Sequence, residues 1–379
     1  MKSATDKKIK FLLISIVFLN LTFFPLLNAL EVKIGALLSL TNSLASYGQD
    51  AKNGIELALD QLKKSDIKLT VVYEDTQSTP SESAKAINKL IVSDKVEVVI
   101  GDMTSSNTIA AASIAEKAKI PILTPSSTND TITMGKEYIF RACFIDSFQG
   151  YVMSKFSLNN LNAKTAIVLE DSDSDYSKGL SKSFVYDFEK NHGKVLKILK
   201  YSQKDTSYTS QLADVRRIKP DVLFIPGFHQ QVGVILREAK DLQIRAKILG
   251  GDGWDTPELR NIAKGAEVGA YISNHYSSSG ENLSLKNFVK AYKEKYHVDP
   301  SSFAALAYDS VNMVYIAVIN AKSNNPEKIK NSLSKIKDFK GVTGTISIDQ
   351  NHNATKPAVI LEYIPNGYKY VTSVKPLSF

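Results

Sequence analysis

Residues 96–124 read VEVVIGDMTSSNTIAAASIAEKAKIPILT, and their order of patterns decides the fold. Val96–Ile100 is short and mostly apolar, which suits a strand buried on both faces. Gly101-Asp102-Met103-Thr104-Ser105-Ser106 interrupts it, Thr108–Ala118 has helical spacing, and Ile120–Thr124 is strand-like again. Strand, helix and strand in so short a span make a βαβ unit, whose strands lie parallel under the helix.

The same rhythm extends in both directions. Upstream, Val32–Leu40 reads as a strand and Tyr47–Leu62 as a helix with Ile55, Leu57, Ala58 and Leu62 on one side. Leu69–Tyr73 is the next strand, and Thr79-Pro80 starts a helix because proline fits a first helical turn. After Tyr138–Asp146 the alternation restarts. Ala166–Leu169, Val195–Tyr201, Val222–Ile225 and Lys247–Leu249 are strands, separated by helices over Ser177–His192, Tyr208–Val215 and Gln230–Leu242. Phe288–Tyr296, Phe303–Ala321 and Pro326–Ile336 read as helices. Thr345–Ile348, Val359–Tyr363 and Tyr368–Val371 then change period, and Asn366-Gly367 marks a hairpin. At 379 residues the chain exceeds what one core organises, so the expected class is α/β with two doubly wound parallel-sheet lobes.

The start has a different character. Lys2, Lys7, Lys8 and Lys10 precede an apolar run, Phe11–Leu27, and then Asn28 and Ala29, as in a secretory signal cleaved after Ala29. An uncleaved anchor is the competing reading, since the run is nearly long enough to span and Leu27, two before Ala29, is bulky for that position; Asn20, Thr22, Pro25 and Asn28 weaken a spanning helix. No later segment is read as spanning a bilayer. Cys143 is the only cysteine, so no internal disulfide forms and no lipid attaches near the cut, which points to a freely diffusing periplasmic protein. Removing four lysines and one aspartate of this start from the formal +8 leaves a mild +5, spread as solvated lysines. No nucleic-acid partner is expected.

Strand-end loops of an open α/β sheet converge on a crevice. In the first half, Gly101–Ser106 opens a helix, whose free N–H groups and dipole favour a carboxylate, with Ser105 adding a hydroxyl. Helix capping by Ser105 or Ser106 is the alternative. Thr124-Pro125-Ser126-Ser127-Thr128-Asn129 is a second such loop. In the second half, Asp171–Tyr176, Gly227-Phe228-His229 and Gly250-Gly251-Asp252-Gly253-Trp254 leave strands. Asp252 among glycines suits a ligand ammonium, and Tyr176 and Phe228 offer flat apolar walls; a turn aspartate and packed aromatics are the bland reading. Catalytic signatures such as Gly-x-Ser-x-Gly or a phosphate-binding Gly-rich loop do not occur, and His192, His229, His275, His297 and His352 lack ligand spacing. No metal, cofactor or enzymatic activity is expected.

Four pieces together resemble the type I periplasmic binding proteins of ABC transporters, in the leucine/isoleucine/valine-binding branch. They are Lys33-Ile34-Gly35-Ala36 with Ser46-Tyr47-Gly48, Val99-Ile100-Gly101 with Ser105-Ser106, Thr124-Pro125 with Thr128-Asn129, and Gly250-Gly251-Asp252-Gly253-Trp254-Asp255. The resemblance covers Val32 to the C-terminus. It implies that Ser105 and Thr128 receive an amino-acid carboxylate, that Ser126 (by its carbonyl), Thr128 and Asp252 receive the amine, and that Tyr176 covers the ligand. Phe228 stands where a tyrosine often occurs. Met103, Tyr47, Phe228 and Tyr276 are the expected side-chain pocket, and none neutralises a charge, so a small or branched apolar amino acid is favoured unless Asp255 or His275 turns inward.

The resemblance further implies three chain crossings, near Asp146, Tyr276 and Gly341–Gly344. After a signal over 1–29, one lobe takes 31–146 with 277–340, and the other 147–276 with 341–379. The expected partners are an amino acid and an ABC permease of the inner membrane, served by a monomer. A repressor core shares the fold, but the chain enters its first strand without a helix-turn-helix. An exported sensor for an amide or other small carboxylate, docking on a receptor, is the rival the sequence leaves open.

Overall fold

The computed structural model describes residues 30–376, so the expected signal and cut lie outside the described residues. The elements are, in chain order, β1 (Leu30–Leu38), α1 (Ala45–Leu62), β2 (Ile67–Asp75), α2 (Pro80–Val92), β3 (Val98–Gly101), α3 (Ser105–Ala118), β4 (Ile122–Thr124) and β5 (Ile139–Arg141). There follow α4 (Asp146–Asn159), β6 (Thr165–Asp171), α5 (Asp175–Lys190), β7 (Lys194–Tyr201), α6 (Thr209–Ile218), β8 (Val222–Ile225), α7 (His229–Asp241), β9 (Lys247–Gly250), α8 (Pro257–Ala263) and β10 (Tyr271–Asn274). The last part comprises α9 (Leu283–Tyr296), α10 (Ser302–Ala321), α11 (Pro326–Leu333), β11 (Phe339–Gly341), β12 (Gly344–Ile348), β13 (Ala354–Thr355), β14 (Ala358–Ile364) and β15 (Gly367–Val374).

Five parallel strands in the order β2-β1-β3-β4-β5 make the first sheet. Side chains alternate across it, and each face has its own helices. Val32, Ile34, Ala36, Val98, Ile100 and Phe140 pack with Tyr47, Ala51 and Ile55 of α1 and with Phe303 and Ala307 of α10. Leu37, Val99, Ile122 and Ile139 pack with Ile87 and Leu90 of α2 and Ala111, Ala112 and Ala115 of α3. Gly35 permits this approach, since a Cβ there would lie 2.9 Å from a Leu90 methyl. At the start of α2, Thr79 accepts a bond from the Glu82 N–H with Pro80 in the first turn, as the sequence suggested.

The second sheet runs β15-β14-β10-β9-β8-β6-β7, parallel from β10 to β7 and antiparallel through β14 and β15. Ile167, Leu169, Leu223, Ile225 and Ile272 face α6, α7 and α8, while Ala166, Val168, Val222 and Phe224 face α4 and α5. The sequence reading contains none of α4, α8 and β10. By length and composition α10 passes as a bilayer-spanning helix, but 72% of its apolar stretch is buried inside the protein, as befits a core helix.

The chain leaves the first sheet through Ala142–Ile145, where the free thiol of Cys143 is buried and its Sγ lies 3.3 Å from the Ser127 carbonyl. It returns after β10. The third passage differs from the expectation at Gly341–Gly344: these two residues face each other in the antiparallel β11–β12 pair of a separate three-stranded sheet. Asp309 of α10 holds that turn, accepting the N–H groups of Val342 at 2.8 Å and Thr343 at 2.9 Å. His352 then stacks on Phe140 at 4.1 Å, so this part stays beside the first sheet, and the chain joins the second only at Ala358.

Candidate functional site

The strand ends of both sheets meet in one cleft. On the first sheet, Asp102 organises two loops. Its carbonyl accepts the hydroxyls of Thr124 at 2.7 Å, Ser127 at 3.1 Å and Thr108 at 3.2 Å, and its carboxylate accepts the Met103 and Thr104 N–H groups and Asn107 Nδ2. Burial pushes this carboxyl up to about 6 against those bonds. Gly101 lets the turn form: its φ of +129° disfavours any side chain, and a Cβ would lie 2.0 Å from the Leu37 carbonyl oxygen.

No side chain caps the N-terminus of α3. Ser105 Oγ instead accepts the Asn129 N–H at 3.2 Å, and Ser106 Oγ accepts the Asp175 N–H at 3.1 Å, across to the second lobe. The capping alternative therefore does not describe either hydroxyl. Ser126 Oγ donates to the Met103 carbonyl at 2.7 Å, which ties the two loops together. Thr128 is buried, its hydroxyl has no hydrogen-bond partner, and its carbonyl accepts the Asp146 N–H at 2.8 Å.

On the second sheet Asp252 sits in a short 3₁₀ turn after β9, almost fully buried. Oδ1 accepts Gln149 Nε2 at 2.7 Å and the Tyr176 hydroxyl at 2.9 Å, and Oδ2 is 2.9 Å from His275 Nε2. Burial holds the Tyr176 phenol well above its ordinary range, so it donates as a neutral hydroxyl. Its ring stacks on Phe228 at 5.3 Å. Facing them, Tyr47 of α1 stacks on Phe303 at 4.1 Å and meets Phe228 edge-on at 5.9 Å. The Tyr47 hydroxyl donates to the Gly253 carbonyl and accepts the His229 N–H at 3.3 Å, and Asn129 Nδ2 donates to the Asp175 carbonyl at 2.7 Å, so polar contacts join the lobes on two sides of the cleft.

Between these walls lies a cavity of about 10 Å³, lined by Met103, Thr104, Ser105, Ser126, Tyr176, Phe228, Asp252, Gly253 and Phe303. One water needs about that much room, so the walls must part to admit anything larger. Six of the nine expected site residues line it, with Tyr47 directly behind the aromatic wall. Thr128 is adjacent in the loop but does not line it.

Tyr276 requires a correction. Its hydroxyl donates to the Pro300 carbonyl, and its ring packs with Leu57, Leu285, Phe288 and Tyr292, away from the cavity. Successive side chains of an extended segment point to opposite sides, and His275 turns toward Asp252, yet its Nε2 is taken up by that carboxylate and the ring does not line the cavity, so it offers no partner to a ligand side chain. Asp255 does not turn inward either: it accepts Asn274 Nδ2 at 2.9 Å and the Ser302 N–H at 2.7 Å, at the start of α10. Sequence reasoning missed Phe303, Gln149 and the bond from His275, which lie far from Asp252 along the chain; Gly253 stood inside the quoted glycine-rich loop. Among the described residues no three His, Cys, Asp or Glu side chains gather as a metal site. What the arrangement offers is a helix N-terminus with hydroxyls on one lobe, a single carboxylate on the other and aromatic rings between.

Residues 31–368 match the family described as periplasmic binding protein. The leucine-binding protein LivK of Thermotoga maritima is similar, at 34% identity and a TM-score of 0.88, covering 91% of this chain and 99% of that one. A branched-chain amino acid transporter substrate-binding protein LivJ from Streptococcus pneumoniae, solved with isoleucine, has 35% identity and a TM-score of 0.86, covering 91% and 100%. The leucine-, isoleucine-, valine-, threonine- and alanine-binding protein of Pseudomonas aeruginosa is 28% identical over 84% of this chain and 86% of its own length.

Proposed function

We propose, for a chain that belongs to the periplasmic binding protein family, that it is the solute-binding component of an ABC transporter and closes on a small or branched apolar amino acid. The observation that carries the reading is the opposition across one cleft of the uncapped α3 N-terminus with Ser105 and the buried carboxylate of Asp252. An α-amino acid presents a carboxylate and an ammonium at matching ends. The remaining lining, Met103, Phe228 and Phe303, has no charge to pair with a charged ligand side chain. A charged side chain left unpaired there costs several kcal/mol, whereas each buried methylene of an apolar one gains about 0.8 kcal/mol.

In this reading Ser105 and Thr128 serve the ligand carboxylate, and Asp252 with the Ser126 carbonyl and Thr128 serves the amine. Contacts from both lobes make closure follow from binding, because the ligand adds favourable interactions only to the closed form. The protein is exported, cut near Ala29, and delivers its ligand as a monomer to a permease in the inner membrane. A thermal-shift screen across the twenty amino acids tests the assignment. Leucine, isoleucine, valine or alanine should raise Tm most; a response confined to glutamate, lysine or arginine would refute the apolar preference, and no response to any amino acid would refute the clamp.

A further inference from the structure

His275 is the first residue after β10, where the chain passes back between lobes, and its imidazole is almost fully buried. One ring face stacks on Phe144 of the first crossing at 3.8 Å. Nε2 lies 2.9 Å from Asp252 Oδ2, while Nδ1 is buried without a hydrogen-bond partner. Two crossings and the amine acceptor of the cleft thus meet at one ring. We propose that His275 is a positioning residue for Asp252, and that its neutral form, protonated on Nε2 alone, is the form that permits amine binding. The proposal rests on the reading of Asp252 as the acceptor for a ligand ammonium.

The chemistry follows from donor counting. An ionised carboxylate only accepts, so Nε2 must carry the hydrogen and, in the neutral ring, Nδ1 is bare. Gln149 of α4 and Tyr176 of α5 occupy Oδ1, and His275 takes one position on Oδ2, which leaves Oδ2 a lone-pair direction for an ammonium. A neutral donor fixes the carboxylate without cancelling its charge. Adding a proton at Nδ1 changes both facts: Asp252 gains a buried cationic partner, and the incoming ammonium meets a like charge within a few ångströms.

The charged and titratable groups around the ring are Asp252 and Asp255 from the loop after β9 and Lys356 from the third crossing; Asp146 at the start of α4 and Cys143 in the first crossing lie around Asp252. Burial, the largest influence, holds the imidazole below its usual range; Asp252 and Asp255 pull it up and Lys356 pushes it down. The second proton and the ligand amine are therefore competitors for one carboxylate. Where one proton excludes one ligand, affinity falls about tenfold per pH unit below the imidazole pKa, and bound ligand lowers that pKa in return.

Calorimetry with L-leucine between pH 7.5 and 4.5, on the unaltered protein and His275→Gln, tests the idea. Glutamine can donate an N–H but cannot gain a charge. The unaltered protein should lose affinity on acidification, and His275→Gln should bind within about fivefold of it at pH 7.5 with a much flatter profile. Histidine NMR should show the resonance that His275→Gln removes titrating at lower pH when L-leucine saturates the protein. Equal steepness in both proteins, or a midpoint unmoved by L-leucine, would overturn the role of His275 alone. Failure of every amino acid to bind the unaltered protein would instead overturn the amino-acid reading, and this proposal with it.

Discussion

Replacing Asp252 by Asn keeps the shape of the side chain and removes its charge. The carboxylate holds three donors, Gln149 Nε2 at 2.7 Å, Tyr176 Oη at 2.9 Å and His275 Nε2 at 2.9 Å. An Asn oxygen can retain Gln149 and Tyr176. Its amide hydrogens then face His275 Nε2, and the ring must move its proton to Nδ1, which has no acceptor. Folding should therefore lose about 1 to 3 kcal/mol, the cost of one buried unpaired donor. Binding loses more, because the ammonium forfeits a charge-assisted bond in a closed cleft, about 2 to 4 kcal/mol. At 1.4 kcal/mol per factor of ten, leucine affinity should drop roughly thirty- to several-hundred-fold. Calorimetry at pH 7.5 reads this directly, with circular dichroism melting to separate folding from binding. Undiminished leucine affinity in a folded Asp252→Asn protein would refute the assignment of the amine to this carboxylate.

Two further outcomes follow from the same geometry. Tyr47→Phe keeps the stack on Phe303 but leaves the Gly253 carbonyl and the His229 N–H without their shared hydroxyl, so the closed form should lose about 1 to 2 kcal/mol. Small-angle scattering should show a larger particle and leucine affinity should fall; an unchanged profile and affinity would count against a latch at Tyr47. Burial raises the Asp102 carboxyl from 3.8 to about 6, so over that range the folded form keeps a proton the unfolded chain has released. The group costs up to about 3 kcal/mol of stability at neutral pH, and that cost is relieved as pH falls from about 6 toward 4. The Tm difference between Asp102→Asn and the unaltered protein should then change between pH 7 and 4 in the direction of a shrinking advantage for Asn, and a constant difference would contradict it.

Much of the architecture was legible because it rests on short-range pattern. Runs such as Val98–Gly101 and Val222–Ile225, buried on both faces, announce parallel strands, and the glycines of Gly250-Gly251-Asp252-Gly253-Trp254 announce a strand-end loop. Several elements that escaped are brief: α8 has seven residues, β10 four, β11 three and β13 two, too few for a period to emerge, although Thr256-Pro257 repeats the start signal seen at Thr79-Pro80. The fourteen-residue α4 escaped for the opposite reason: Gln149, Ser154 and Ser157 are buried along with Phe148, Val152, Met153 and Phe156, so no apolar stripe stands out from a polar face. The inner arrangement of the cleft escaped for another reason. Gln149, Asp252 and His275 meet only because α4, β9 and β10 are neighbours in space, and no spacing along the chain records that. Tyr276 was misassigned because position beside a crossing does not fix which way a side chain points.

Cys143 gives the molecule a practical property. It is the only thiol in the sequence, it is buried in the first crossing, and burial pushes it up to about 12, far from the thiolate that alkylating reagents attack. A native fold of this kind is chemically silent toward thiol-directed dyes. One cysteine introduced on an exposed lobe surface then becomes a unique attachment point, and fluorescence from that point is a test of the proposed closure that leaves the native residues of the crossings in place.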